Sequence, residues 1–383
     1  MRIGIAKERR PHEARVAVSP DTVKKLVGLG AEVVVEAGAG AGAATTDAAL
    51  AAAGARIAAD AAEALAGADI VLKVQRPLIA GEDGPDELKL IERGAVLIGM
   101  LAPHSAGEAV AAYAERGVVA FSLELLPRIT RAQTMDVLSS QSNLAGYKAV
   151  IDAAAEFGRA FPMMMTAAGT IAPARVVVLG AGVAGLQAIA TARRLGAIVS
   201  AFDVRRAAKE QVESLGAAFI EVEGAEDAET AGGYAREVGE EHRRRQAAKL
   251  HEVLKKQDIA ICTALIPGRP APVLLTEAMV KDMRPGSVIV DLAVEQGGNC
   301  ALSEAGQVVV RHGVKIVGHL NVPSRIAVDA SALYARNLLS FLTPLIDRET
   351  KALKIDWEDE IIKATALTRD GKVVHPAFAG EGG

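Results

Sequence analysis

The sequence predicts an α/β protein built from two Rossmann-like, doubly wound parallel-sheet domains that are joined by long helices. Short apolar runs rich in β-branched residues alternate with alanine-rich stretches of helical character along the 383 residues, a pattern typical of parallel sheets with right-handed crossovers. A glycine-rich fingerprint follows one apolar run and opens the helical stretch after it. Two long helical segments flank the second half of the alternation, so the chain can leave one domain and later return to it.

The first alternating series begins at the amino terminus. Its first helix is marked by Ser19-Pro20-Asp21, where a serine hydroxyl can cap the helix and a proline suits the first helical turn. The pattern predicts a first parallel sheet. Its candidate strands are Arg2–Ala6, Val33–Glu36, Ile70–Val74, Val96–Gly99 and Val118–Phe121.

The second series lies between the two predicted long helices. The helix before it covers 139–158, where apolar residues recur at helical spacing, and the helix after it covers 329–342. We therefore predict a discontinuous first domain, residues 1–138 with 327–383, and a second domain at 139–326, with a ligand cleft between them. The candidate strands of the second domain are Val176–Leu179, Val199–Phe202, Ile259–Thr263, Val288–Asp291 and Lys315–Gly318.

Composition places the chain among soluble globular proteins and excludes several classes of function. Half of the residues are apolar, 23% are charged and the formal net charge is −4, so a nucleic-acid-binding protein with a basic surface is not expected. The two cysteines, Cys262 and Cys300, form no CxxC pair, which argues against a disulfide framework or a thiolate metal site. The charge-free run 176–192 is shorter than the roughly 20 residues that span a bilayer. The amino terminus lacks the apolar stretch of a secretory signal.

The strongest local motif is Gly180-x-Gly182-x-x-Gly185, which follows an apolar strand and opens a helix. Gly180 permits a tight turn, Gly182 lets the backbone approach a pyrophosphate, and Gly185 lets the helix pack closely on the sheet. The phosphates would then lie against unpaired N–H groups at the helix start. Asp203 ends the next strand, where its carboxylate can accept hydrogen bonds from both hydroxyls of an adenosine ribose. Together these features predict a dinucleotide site.

Asp203 favours NAD(H) over NADP(H) as the nucleotide. A 2′-phosphate about 4 Å from an uncompensated carboxylate would cost a few kcal/mol at an effective dielectric constant of about 20. Arg205 leaves the other nucleotide open, since a nearby arginine can accommodate a 2′-phosphate. We favour NAD(H) because the acid stands at the strand end itself.

The chain offers no clear proton donor of the kind that an ordinary dehydrogenase uses. Reduction of a carbonyl or an imine needs a donor beside the hydride acceptor, usually His or Lys. The seven histidines form no HExxH motif or comparable metal cluster, and we expect structural or surface roles for them. No metal site is predicted.

Four motifs carry a resemblance that extends over essentially the whole chain. The sequence resembles the NAD(H)-binding first domain of the proton-translocating NAD(P) transhydrogenase family, a soluble portion of the alpha subunit. The second motif is the more specific, because the glycine fingerprint in the third is shared with many unrelated enzymes. The motifs are GIAKERRPHEARVAVSP, LELLPRITRAQTMDVLSSQSNLAGYKAV, PMMMTAAGTIAPARVVVLGAGVAGLQAIATARRLGA and DLAVEQGGN.

The resemblance implies direct hydride transfer from NADH to NADP. Hydride that passes between two nicotinamide rings leaves no alkoxide or amine to protonate, which agrees with the missing proton donor. By analogy with the family, Arg128, Asp136 and Ser139 orient the dihydronicotinamide, and Gln133 reaches across to NADP held on a partner. From the residues alone, Asp136 or Ser139 could instead cap the helix that follows.

The resemblance also identifies residues around NAD(H). A charged segment that contains Gly232-Gly233 is either a solvated loop with an exposed helix or a mobile lid. In the family a tyrosine on such a lid closes over bound NAD, and Tyr234 matches it. The positions that match nucleotide-lining residues of the family are Val183, Arg205, Gly233, Gln246 and Leu265.

The implied reaction needs partners on other polypeptides. In the family, NADP(H) is bound by a separate component, and a membrane-spanning component couples hydride transfer to proton translocation. The resemblance therefore implies a cytoplasmic chain that is peripheral to the inner membrane through its partners. It also implies a homodimer.

Two alternatives stay open at this point. Alanine dehydrogenase is similar in fold, in the EARVA segment Glu13–Ala17 and in Lys73, and here Arg15 and Lys73 could bind a substrate carboxylate or be inherited scaffold. His104 is displaced from the position of that family's histidine and Glu295 replaces its aspartate, which argues against oxidative deamination. The second alternative is a non-catalytic NAD sensor that changes partners with redox state.

Overall fold

The computed structural model describes residues 1–222, 239–266 and 268–379. The chain forms two compact units. The first comprises Met1–Gln141 with Ser324–Gly383, and the second comprises Ser142–Pro323. The first unit is therefore assembled from both ends of the chain, whereas the second is continuous.

The secondary structure alternates along the chain as the sequence pattern predicts. The strands, in chain order, are β1 (Arg2–Ile5), β2 (Glu32–Glu36), β3 (Arg56–Ala58), β4 (Ile70–Gln75), β5 (Val96–Met100), β6 (Val119–Ser122), β7 (Met164–Thr166), β8 (Gly169–Ile171), β9 (Arg175–Leu179), β10 (Ile198–Phe202), β11 (Ala218–Phe219), β12 (Ile259–Cys262), β13 (Val288–Asp291), β14 (Val308–Arg311), β15 (Val314–Val317), β16 (Ala366–Arg369) and β17 (Lys372–Val373). The α-helices are α1 (Pro20–Gly28), α2 (Asp47–Ala52), α3 (Ala61–Leu65), α4 (Gly107–Arg116), α5 (Val137–Glu156), α6 (Val183–Arg194), α7 (Ala208–Ser214), α8 (Glu240–Leu254), α9 (Glu277–Lys281), α10 (Ala327–Leu342) and α11 (Glu360–Thr365).

The sheet of the first unit has eight strands in the order β17-β16-β6-β5-β4-β1-β2-β3. Strands β1 to β6 are parallel to their neighbours, and Ile3 lies opposite Val33 on one side and Ile70 on the other. The order of these six strands is that of a doubly wound fold. Strands β16 and β17 add an antiparallel edge that the sequence pattern does not predict.

The sheet of the second unit has seven strands in the order β11-β10-β9-β12-β13-β15-β14. All neighbours are parallel except the β14–β15 pair. The strand order reverses between β9 and β12, and ligands bind at the carboxyl ends of the strands at such a switch point. The predicted α/β fold with two Rossmann-like parallel sheets is confirmed.

The signals for the helices also hold in the structure. Ser19 caps α1 through a reciprocal pair of hydrogen bonds with Thr22, and Pro20 is the first helical residue. The predicted long helices are α5 and α10, each of which starts two residues before the predicted position. Helix α10 ends in the 3₁₀ turn Thr343–Leu345, where Pro344 stands.

Among the described residues, no helix combines the length and the apolar character needed to cross a membrane. Cys262 and Cys300 are both buried and both are free thiols, and burial raises the pKa of each. Nowhere in the described ranges do three or more His, Cys, Asp or Glu side chains converge as metal ligands would.

Candidate functional site

The glycine fingerprint lies at the carboxyl end of β9, at the switch point of the second sheet. Gly180 has a φ of +98°, and a Cβ there would lie 2.7 Å from Thr263 Oγ1 and 3.1 Å from the Ala264 nitrogen. A Cβ on Gly185 would collide with the carbonyl oxygen of Gly180. The packing of the protein on itself therefore requires glycine at both positions.

Gly182 differs from these two glycines. No protein atom outside its immediate neighbours lies within 4 Å of a Cβ built there, and its φ of −76° and ψ of −166° are open to any residue. It precedes the first residue of α6, where the first N–H groups have no acceptor within the helix. The open space beside Gly182 is where a phosphate would meet those donors, so the residues present fit a dinucleotide.

Asp203 follows β10, and its carboxylate is almost fully buried. One oxygen accepts a hydrogen bond from the Ala181 N–H at 2.7 Å. The Arg205 guanidinium donates to both oxygens, from Nε at 2.9 Å and from Nη2 at 2.8 Å. The expectation of an uncompensated carboxylate is therefore wrong, because Arg205 lies only two residues away and folds back onto it. Nucleotide preference then depends on whether Arg205 stays on Asp203 or turns to a 2′-phosphate.

Asp203→Ala is expected to shift the ratio of NADH to NADPH affinity toward NADPH by about tenfold, or about 1.4 kcal/mol. The substitution removes the ribose acceptor and frees Arg205 for a phosphate. Titration of both reduced nucleotides by their fluorescence measures the ratio. The matched control is Arg205→Ala, which leaves the carboxylate uncompensated and should move the ratio the opposite way. An unchanged ratio in both variants would count against Asp203 as the ribose ligand.

A second loop of the site follows β12 and is held by two side chains that the sequence interpretation missed. Thr263 Oγ1 donates to the Gly180 carbonyl at 2.9 Å. The buried Asn299 amide accepts from the Ala264 N–H at 3.0 Å and donates to the Ala264 and Pro272 carbonyls at 2.9 and 2.8 Å. These bonds fix the loop that carries Leu265. The DLAVEQGGN motif signals Asn299, although it does not indicate these contacts.

Gly146 was also missed as a residue of the site. It lies within α5, and a Cβ there would collide with the backbone carbonyl of Ala184 in the first turn of α6. Beside it, the Asn143 amide donates to Gln187 of α6 at 3.2 Å. The available signal was a glycine inside a predicted helix, which usually has a packing reason.

The other residues predicted to line the nucleotide have mixed positions. Val183 is the first residue of α6 and Leu265 follows β12, and both are exposed. Gln246 lies on α8 and is buried. Gly233 and Tyr234 lie outside the described residues, and so does the predicted lid.

Arg128, Gln133, Asp136 and Ser139 lie together in the first unit, on the segment between β6 and α5, which we call the 128–139 segment. It includes the 3₁₀ turn Thr130–Met135. Arg128 and Gln133 are exposed. Asp136 accepts hydrogen bonds from the backbone N–H of Ser139, at 2.9 Å, and from its hydroxyl. The capping alternative for these two residues is thus observed, and it fixes the start of α5.

Arg15 is one of two buried cations in the first unit. It is 3% exposed, and Glu13 accepts hydrogen bonds from its Nε at 2.8 Å and from its Nη2 at 2.6 Å. A further guanidinium nitrogen donates to Gln141 Oε1 at 2.8 Å. The Gln75 amide donates to the same Glu13 carboxylate at 2.7 Å. The protein's own carboxylate thus takes the place that a substrate carboxylate would take on Arg15.

Lys73 is the second buried cation and is 2% exposed. Its Nζ lies 3.0 Å from Glu87 and 3.3 Å from Glu8. Burial raises the pKa of the Glu8 carboxyl, partly offset by the attraction of Lys73. Both cations that could receive a substrate carboxylate are therefore enclosed and paired with internal glutamates.

The two residues at which the chain departs from alanine dehydrogenase have surface positions. His104 is exposed, and its ring lies edge-on to Phe378 with the centroids 5.0 Å apart. His375 packs on the same phenyl ring at 4.9 Å. Glu295 is an exposed residue in the 3₁₀ turn Val294–Gln296. His104 therefore packs against the carboxyl-terminal segment.

Comparison with known proteins gives a consistent picture. Residues 4–145 match the family described as alanine dehydrogenase/PNT, N-terminal domain, and residues 149–376 match its C-terminal domain. The chain is 65% identical to the first portion of NAD(P) transhydrogenase subunit alpha of Rhodospirillum rubrum, a separate polypeptide, over 100% of both chains. A solved structure of transhydrogenase from Sinorhizobium meliloti is 55% identical with a TM-score of 0.88, covering 98% of this chain and 100% of that one. An L-alanine dehydrogenase structure is 28% identical with a TM-score of 0.80, covering 99% and 98%.

Proposed function

The chain belongs to the alanine dehydrogenase/PNT family, and from this premise we propose that it is the NAD(H)-binding component of a proton-translocating NAD(P) transhydrogenase. NADH binds at the glycine fingerprint of the second unit and gives hydride to NADP held on a partner. The full-length identity to a transhydrogenase alpha-subunit polypeptide supports this choice. The geometric observation that carries it is the contrast between a well-formed dinucleotide cradle and two enclosed cations, Arg15 and Lys73, that leave little room for a small carboxylate substrate.

The proposed chemistry needs no acid or base from the chain. A C–H bond breaks at C4 of the dihydronicotinamide of NADH, which is oxidised, and the hydrogen with its electron pair forms a C–H bond at C4 of NADP, which is reduced. The task left to the residues is to hold the two rings roughly 3–3.5 Å apart and exclude water. Arg128, Asp136 and Ser139 orient the ring on this chain, and Gln133 contacts the nucleotide on the partner.

Gln133→Asn is expected to slow hydride transfer about tenfold or more while NADH affinity stays within about twofold. The shorter side chain loses reach toward the partner's nucleotide, whereas the fingerprint and Asp203 are untouched. Stopped-flow transfer rates with the NADP-binding component, set beside NADH titrations, test this. Thr134→Ser, one residue further along the same exposed turn, is the control and should match the wild type. A large loss of NADH affinity in the Gln133 variant would contradict the bridging role.

The proposal places the partners on other polypeptides. One binds NADP(H), and a membrane-spanning one couples the transfer to proton translocation. The chain itself would then be cytoplasmic and peripheral to the inner membrane. The main alternative is an alanine dehydrogenase-like oxidoreductase, which the structural likeness to L-alanine dehydrogenase favours. A non-catalytic NAD sensor is the third.

One assay separates the three functions. The purified chain is given L-alanine with NAD, and separately NADH with NADP, each with and without the NADP-binding component. We expect NADP reduction only when the component is present. Turnover of alanine would establish the oxidoreductase instead, and NADH binding without any partner-dependent transfer would establish the sensor.

We also propose a homodimer formed through the β7–β8 hairpin. Met163, Met164 and Met165 are 60, 44 and 79% exposed, and no charged residue occurs from 160 to 174. An isolated two-stranded hairpin is marginally stable in water, and these two strands form a sheet of their own. A second copy presenting the same uncharged hairpin would cover both, since two-fold contacts are self-complementary.

Met165→Asp is expected to convert the dimer to a monomer at micromolar concentration, because the contact would bury two like charges. Light scattering coupled to size exclusion measures the mass. The control is Val328→Asp, which places the same charge on a valine that is 57% exposed in the first turn of α10, where an acid is tolerated. Two variants of equal, dimeric mass would refute the hairpin interface.

A further inference from the structure

Helix α10 carries three buried or nearly buried polar side chains at three-residue spacing, Ser331, Tyr334 and Asn337. Residues three apart lie on one face of a helix, and each of these side chains holds a different segment of the first unit. Ser331 Oγ accepts from the Val16 N–H at 3.0 Å. The Tyr334 hydroxyl donates to the Lys73 carbonyl at 2.8 Å. The third side chain holds the 128–139 segment.

Asn337 contacts this segment on both sides of its functional residues. Its amide nitrogen donates to the Thr134 carbonyl at 2.9 Å, next to Gln133. Its amide oxygen accepts from the Ser140 hydroxyl at 2.7 Å, next to Ser139. A single side chain, 8% exposed, thus links the 3₁₀ turn to the first turn of α5.

The two bonds require an amide. The Thr134 carbonyl can only accept, so the atom that faces it must be the nitrogen. An aspartate of the same shape would keep the bond from Ser140 but would set a carboxylate oxygen against the Thr134 carbonyl. A leucine would make neither bond and would leave buried polar groups without partners, which costs about 1–3 kcal/mol for each group.

We propose that Asn337 is a positioning residue for hydride transfer, which it serves by fixing the backbone that carries Gln133, Asp136 and Ser139. The inference rests on the proposed transhydrogenase function. Transfer between two rings is sensitive to small displacements, since a misplacement of about 1 Å can lower a rate about a hundredfold. The segment that sets this geometry is fixed in turn by a side chain about 200 residues away in sequence, which touches no nucleotide.

The test is Asn337→Asp, in the full chain with the NADP-binding component. We expect hydride transfer at saturating nucleotides to fall by about 10- to 100-fold, with NADH affinity within about twofold, because the fingerprint belongs to the other unit. The matched control is Ser331→Ala, on the same face of α10, which also loses one buried hydrogen bond but touches a different segment. Thermal unfolding of both variants gives the stability loss that each rate is compared with.

Two results would overturn the inference. One is a transfer rate in Asn337→Asp that falls no further than in Ser331→Ala, and the other is a loss of NADH affinity as large as the loss of rate. If Asn337→Asp does not fold, Ser140→Ala removes one of the two bonds and should give the same selective loss of rate, and its absence would be equally decisive. No partner-dependent transfer in the wild-type protein would instead refute the proposed function.

Discussion

Gly182→Ala is expected to weaken NADH binding at least about a hundredfold, or about 2.7 kcal/mol, and to leave the free energy of unfolding within about 0.5 kcal/mol of the wild type. The added methyl group meets no protein atom within 4 Å, beyond the neighbouring residues, and the backbone there suits alanine. It would instead occupy the space into which a pyrophosphate must come to reach the first N–H groups of α6. NADH titration and urea unfolding on the same preparation measure the two quantities.

Gly185→Ala is the matched control for this prediction. Its methyl group would collide with the Gly180 carbonyl, so α6 must shift and the unfolding free energy should fall by about 1–3 kcal/mol. Only the Gly182 variant should separate binding from stability. Normal NADH affinity in that variant would show that the nucleotide does not approach the chain at the fingerprint.

Lys73→Met is expected to lower the free energy of unfolding by about 3–5 kcal/mol. The substitution keeps the apolar stem but leaves the buried carboxylates of Glu8 and Glu87 facing each other without their cation. Urea unfolding measures the loss. The control is Lys25→Met, which breaks an exposed pair with Asp21 and should cost less than about 0.5 kcal/mol.

The loss in Lys73→Met should also depend on pH. Burial raises the pKa of Glu8 above its value in the unfolded chain, and the removal of Lys73 raises it further. The folded state then binds the proton more tightly than the unfolded state does, so this contribution to stability is present at low pH and is lost as the pH rises. We expect a larger deficit at pH 8 than at pH 5. An equal or smaller deficit at pH 8 would show that Lys73 is not what compensates Glu8.

The architecture could be predicted from the sequence because burial on both faces writes parallel strands as continuous apolar runs. The runs that became β1, β4 and β9 needed no further information. Strand β14 was missed since three of its four residues are exposed, and it is a strand only because β15 pairs with it. Strands β16 and β17 likewise depend on the distant partner β6.

The site could be predicted where function requires a local pattern. Gly180, Gly185 and Asp203 follow one another at fixed spacing around a single strand–helix–strand unit, and the structure places them at one switch point. The contacts that arise from tertiary packing could not be read in this way. The collision point at Gly146, the amide of Asn299 and the Asp203–Arg205 pair depend on which segments meet, and a linear pattern does not record that.

The discontinuity of the first unit has a consequence for synthesis on the ribosome. The 128–139 segment leaves the exit tunnel early, but Asn337, which holds it, emerges 203 residues after Thr134. Strand β16, the neighbour of β6, comes later still. The continuous second unit can complete its sheet before either arrives, because domains fold as units during translation. A nascent chain would therefore possess its nucleotide cradle while β6 still exposed an unpaired edge, the kind of surface that chaperones shield.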